Sequence, residues 1–117
     1  MSRGPYPGRT LAAALPIAEI RGTVQKIRSA RESLYDFVIS TAVPVAFVRV
    51  KRSDRILLTI EKAEEVHDEA IIGLRSIVSA ENISRELWLR SRHGTWRFFR
   101  VLKTGLVELS RNGMPLE

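Results

Sequence analysis

Apolar positions recur along the chain in two rhythms, one helical and one extended. Ile17, Ile20, Val24 and Ile27 follow one another at spacings of three, four and three. That spacing predicts one face of an amphipathic helix over about residues 16–30, with Arg21, Lys26, Arg28 and Arg31 mostly off it. Pro16 suits a first helical position, and Thr10 can cap a short turn through Leu15. Upstream, Gly4, Pro5, Pro7 and Gly8 mark 1–9 as a flexible lead-in. The β-branched and aromatic runs Tyr35–Thr41 and Val43–Val50 predict strands over 35–41 and 45–52, joined by a tight Thr41-Ala42-Val43-Pro44 connection. The near-continuous apolar character of Phe37-Val38-Ile39 and Val45-Ala46-Phe47-Val48 predicts strands covered on both faces.

Ser53-Asp54-Arg55 breaks this pattern. Ile60, Ala63, Val66, Ala70, Leu74, Ile77 and Val78 then predict a longer helix over about 57–79, with its acidic residues weighted toward the start. After Ala80-Glu81-Asn82-Ile83, residues 85–91 alternate, Leu87 and Leu89 facing one way and Glu86, Trp88 and Arg90 the other. A turn at 92–95, a strand over 96–102, a Thr104-Gly105 turn and a strand over 106–109 complete a β-meander. The element order α-β-β-α-β-β-β predicts an α/β or α+β domain over 10–110, a mixed sheet with two main helices packed on it. Asn112-Gly113 and Pro115 mark 111–117 as a flexible tail.

Composition narrows the field. At 117 residues the chain fits one domain, and 19 Lys and Arg against 13 Asp and Glu give a net charge of +6. Fifteen of the 19 basic residues are Arg, the planar fork suited to phosphates, carboxylates and aromatic faces. The absence of cysteine excludes disulfides, thiol catalysis and cysteine-ligated clusters. Neither a membrane-length apolar run nor an apolar leader is present, so a cytoplasmic chain with no membrane partner is expected.

Several chemistries find little support. His67 and His93 have no partner at zinc-ligand spacing. Ser91 and His93 beside a turn read as a polar turn rather than a nucleophile and base. The seven glycines are scattered singly, so no phosphate-binding loop follows a strand.

One constellation does carry chemistry. Asp36 opens the first strand, and Arg49 and Lys51 project from one face of the second, which ends in Arg52. With a helix before this hairpin and a helix and strand after it, residues 16–92 resemble the restriction-endonuclease-like, PD-(D/E)XK nuclease superfamily. The resemblance implies Mg²⁺ held by Asp36 and a second carboxylate, with Lys51 orienting the attacking water. The second carboxylate position is occupied by Arg49, whose fixed positive charge lies where the cation would sit. The resemblance therefore implies a disarmed copy unless Glu19, Glu61 or Glu64 supplies the missing group. A plainer alternative makes Arg49, Lys51, Arg52 and Arg55 a solvated strand end.

The last hairpin interleaves Trp88, Arg90, Arg92, His93, Trp96, Arg97, Phe98, Phe99 and Arg100. Aromatic faces stack bases and arginines neutralise phosphates, although one face of this hairpin must enter the core. Segments 85–91 and 94–99 also resemble a signature of small archaeal proteins without assigned function. Together these features lead to an expectation of non-catalytic DNA or RNA binding through Arg49, Lys51, Arg52, Arg90, Arg92, Trp96 and Arg97, with no cofactor. A protein-interaction or homodimerisation module is one alternative. The other is a nuclease using Mg²⁺ and relocated carboxylates. The basic residues should converge on one face if the first expectation holds.

Overall fold

A computed structural model describes residues 8–26 and 34–116. It contains α1 (Gly8–Arg21), β1 (Val24–Lys26), β2 (Phe37–Ile39), β3 (Val45–Arg52), α2 (Ile60–Val66), α3 (Asp68–Arg75), β4 (Ile83–Arg90), β5 (Trp96–Val101) and β6 (Leu106–Leu109). The strands form one sheet in sequence order. Only the β3–β4 pairing is parallel, so β2 and β5 run against the other four. The mixed sheet with helices packed on it is as expected; with three helices and a largely antiparallel sheet, the class is α+β, the second of the two expected.

Side-chain alternation sends each strand's residues to two cores. On one face Phe37, Ile39, Ala46, Val48, Val50, Trp88, Phe98 and Leu109 pack with Leu11, Ala14, Ile17 and Ala18 of α1. On the other Leu87, Leu89, Phe99, Val101 and Leu106 meet Ala63 of α2 and Ala70, Ile71 and Leu74 of α3. β4 is central and is buried without a break from Ser84 to Leu89. β3, expected to be covered on both faces, is fully buried only through Ala46, Val48 and Val50, while Val45, Phe47, Arg49 and Lys51 are half-buried. No helix among the described residues is long and apolar enough to cross a membrane.

The first helix lies earlier than expected. It starts at Gly8, runs through Pro16 and stops at Arg21, and its buried residues are Thr10, Leu11, Ala14, Ile17 and Ala18. Leu11 to Leu15 are strong helix formers, and their extension of the helix outweighs the lost Pro16 N–H bond. Ile20 is exposed and Val24 belongs to β1, so the spacing of Ile17, Ile20, Val24 and Ile27 is not a helix face. Gly22 explains the stop: a Cβ there would lie 2.5 Å from the Thr41 hydroxyl oxygen, which accepts the Thr23 N–H at 2.7 Å. The chain thereby turns into β1, a strand with no counterpart in the expected order, and pairs Val24 with Ile39. Residues 1–7 of the expected lead-in and 27–30 of the expected helix lie outside the described residues.

The expected 57–79 helix is two helices meeting at His67, with Thr59 capping α2 through the Lys62 N–H. The segment expected as a free tail is tied back through 116. Ser110 N–H donates to Met114 O at 2.7 Å, Leu116 N–H to Glu108 O at 2.9 Å, and Leu109 bridges Pro115.

One polar cluster interrupts the α1-side core. Glu86, with no exposed surface, accepts two bonds from Arg21 at 2.9 and 3.0 Å, one from the Ser84 hydroxyl at 2.7 Å and one from the Trp88 indole at 3.0 Å. Burial alone would push its carboxyl pKa up, but the Arg21 bonds and charge, with Trp88 and Ser84, more than offset this and hold it below the ordinary carboxylate range. A depressed carboxylate pKa contributes stability that is present above the unfolded pKa and lost as pH falls toward the folded one. Glu86→Ala should cost about 3–5 kcal/mol in urea unfolding at pH 7, because Arg21 is left buried without its anion. Wild-type stability should fall on acidification below roughly pH 4.3, and Glu86→Gln should flatten that fall.

Candidate nucleic-acid interface

The basic residues expected to converge are divided by strand parity. Arg49 and Lys51 of β3 and Arg97 of β5 point to the α2–α3 side, the side of Leu87, Leu89 and Phe99, their register partners or neighbours. Arg52 and Arg90 point to the α1 side, and Arg92 occupies the β4–β5 turn.

On the α2–α3 side Asp36 is buried, its N–H donating to Val48 O at 2.7 Å and its Oδ2 accepting the Val50 N–H at 2.7 Å. One residue beyond the Phe37–Val48 pair, Asp36 stands at the register position opposite Arg49. The carboxylate is thus engaged with the β3 backbone, beside the register position of Arg49. Of the relocated candidates, Glu19 lies on the helix that covers the opposite face, Glu64 is paired with Arg75 at 2.9 Å, and Glu61 is exposed on α2. Among the described residues no group of three His, Cys, Asp or Glu side chains could hold a metal ion.

His67 is the residue here that the sequence hid. It sits at the α2–α3 junction, is 8% exposed, and its Nε2 has no hydrogen-bond partner. Burial, then the charge of Lys51, push its pKa below the ordinary imidazole value, so it is neutral at pH 7. The only signal was its place in the middle of an amphipathic stretch.

Arg97 is committed internally. Its Nε and a terminal nitrogen clasp Glu108 at 2.9 and 2.7 Å, and the other terminal nitrogen donates to Ile56 O at 2.9 Å and Leu58 O at 2.6 Å. Glu108 raises its pKa further, and the guanidinium lies 5.0 Å from the Phe99 ring centre. It fastens the loop before α2 to β5 and β6, away from the Arg90–Trp96 end.

The other end of the hairpin is different. Arg52 stands opposite Arg90, and Arg90 opposite Trp96, at the carboxyl ends of the parallel β3–β4 pair. The Arg90 guanidinium carbon lies 5.9 Å from the Trp96 ring centre, and its buried Nε has no hydrogen-bond partner. Trp96 is half-buried, lies within 6° of parallel to Phe98 at 5.9 Å and meets Trp88 edge-on. Arg111 lies 6.0 Å from the Phe98 ring centre, extending the alternation of rings and cations. Arg52 is more than half exposed and only loosely paired with Asp54 at 3.8 Å. The turn that presents Arg92 and His93 is built on Ser91, whose hydroxyl oxygen accepts the His93 and Thr95 N–H groups at 3.2 and 2.9 Å. Ser91 is a turn-forming residue, as its spacing to His93 implied.

The structure therefore brings together Arg52, Arg90, Arg92 and Trp96, and separates them from Asp36, Arg49 and Lys51. Comparison of the chain with family models, curated proteins and solved structures returns no match. The site rests on its own geometry.

A group whose folded pKa is depressed but whose acid form is cationic favours the folded state when neutral. Stability from His67 is then complete above an unfolded pKa of roughly 6.5 and declines as pH falls below it. Between pH 7.5 and 5.5 the urea midpoint should drop, and His67→Leu, which keeps the site filled without a titrating group, should abolish that drop.

Proposed function

We propose that the chain is a non-catalytic nucleic-acid-binding domain that engages single-stranded DNA or RNA at the Arg52–Arg90–Arg92–Trp96 end of the sheet. The observation that carries this reading is the Arg90–Trp96 pair. A half-buried indole keeps one part in the core and presents the rest beside a guanidinium whose Nε has no protein partner. A base stacking on that ring meets an aromatic surface, with Arg90 and Arg92 in the same hairpin and Arg52 on the adjoining strand β3 for the phosphates. The excess of six positive charges favours the encounter over longer range.

The nuclease-like resemblance supports the non-catalytic half of the reading. In the resemblance, Asp36 and a carboxylate at the position of Arg49 would hold the cation. Arg49 opposes a divalent cation at the position where a carboxylate is needed, and Asp36 already accepts a backbone N–H. Binding without Mg²⁺-dependent cleavage follows.

Fluorescence anisotropy with labelled single-stranded oligonucleotides at several salt concentrations tests this. Trp96→Ala should weaken binding about 5- to 150-fold, the range that corresponds to roughly 1–3 kcal/mol for one stacked base. Arg90→Ala and Arg92→Ala should each lower the salt slope by about one. Added Mg²⁺ should produce no cleavage. Unchanged affinity in Trp96→Ala and Arg90→Ala variants that remain folded would refute the proposed site.

A further inference from the structure

A second basic concavity lies at the opposite end of the sheet, where β3 and β4 begin and β5 ends. Its volume is about 220 Å³, and its walls include Pro44, Ser79, Glu81, Arg85, Arg100 and Lys103. We propose that this cavity binds a phosphate group, free or as a monoester.

Arg85 is the core of the argument. It is 6% exposed, yet none of its hydrogen bonds reaches a carboxylate: it donates to Arg75 O and Ile77 O at 3.1 Å and to Val101 O at 3.2 Å. These bonds close the end of α3 and tie it to β5, so the side chain is held rigidly. They use at most three of the five N–H groups of a guanidinium, leaving two for a ligand. A guanidinium does not deprotonate to relieve its burial, so a buried one without an anion favours acquiring one.

The neighbours set the charge of that anion. Arg100, opposite Glu86, is fixed by its Nε bond to the Ser84 hydroxyl at 3.0 Å and a longer bond to Gly113 O at 3.4 Å, which holds its charge on the α1 side, across the sheet from Arg85. Lys103 is exposed on the β5–β6 turn, and the one carboxylate in the lining is Glu81. Arg85 and Lys103 against Glu81 leave an excess of one positive charge. A phosphate group carries about −1.5 to −2 at pH 7 and offers three acceptor oxygens, which suit the forked guanidinium of Arg85 and the ammonium of Lys103. The arrangement is separate from the Arg90–Trp96 end and does not depend on it.

The test is titration of the isotopically labelled full chain with inorganic phosphate, glycerol phosphate and acetate at constant ionic strength, followed by amide shifts. The two phosphates should give saturable shifts at Ser79–Ile83 and Leu102–Lys103, and acetate should not. Lys103→Glu replaces an exposed side chain, so the fold is retained, and it should weaken phosphate binding at least tenfold. Arg85→Lys keeps the charge but loses the fork and should weaken it likewise. Trp96→Ala should leave phosphate binding unchanged while reducing oligonucleotide binding, which separates this site from the other. Tighter binding of glycerol phosphate identifies a phosphorylated molecule as the ligand, and equal binding identifies phosphate itself. Non-saturating shifts, equal shifts with acetate, or wild-type affinity in Lys103→Glu would overturn the proposal.

Discussion

The structure turns on one buried ion pair, Arg21 with Glu86. Glu86 sits on the central strand β4, wholly out of water, and a lone carboxylate there would be strongly destabilising. Four donors reach it, and the two from Arg21 come from the last residue of α1. That clasp fixes where α1 ends on the sheet, and the following Gly22 then delivers the chain to β1 at the sheet edge. The clasp also reaches the chain's far end. Gly113 packs so closely beneath the Arg21 guanidinium that a Cβ would lie 2.7 Å from it, and Arg100, bonded to Ser84, donates to Gly113 O. Helix, central strand and carboxyl-terminal turn are thus held by one connected set of hydrogen bonds. Satisfying every member is what makes such a network stabilising rather than costly.

The same sheet separates two basic groups that are close in sequence. Lys51 and Arg52 are adjacent, but strand alternation places Lys51 near His67 on the α2–α3 side and Arg52 beside Arg90 on the α1 side. The nuclease-like constellation and the aromatic–arginine platform are therefore distinct surfaces. One places a backbone-bonded Asp36 opposite Arg49, near Lys51. The other sets a guanidinium beside a partly exposed indole, which is why the functional reading rests there.

Much of this was legible in the sequence, and the parts that were not have physical causes. Strand β3 followed from a β-branched and aromatic run, β4 from two-residue alternation, which also gave the opposite orientation of Leu87 and Trp88, and β5 and β6 from the turns that bound them. The start of the chain was misread because Pro16 suits a helix start, whereas the helix formers before it extend the helix past the proline. Val24 completed a helical spacing yet sits in a strand, because the close approach of Thr41 to Gly22 is a tertiary fact. The pairing of Arg90 with Trp96 was visible as an interleaved pattern. The capture of Arg97 by Glu108 and two loop carbonyls was not, since it joins residues 11 to 41 positions apart. Likewise, nothing local distinguishes the buried Arg85 and His67 from surface residues of the same type.

The most direct test of the account is an amide and indole shift map of the labelled chain with a short single-stranded oligonucleotide at low salt. The account predicts that the largest changes fall on Arg90, Arg92 and the Trp96 indole, and that they vanish as salt is raised. Largest changes around Asp36, Lys51 and His67, or no changes at low salt, would contradict it.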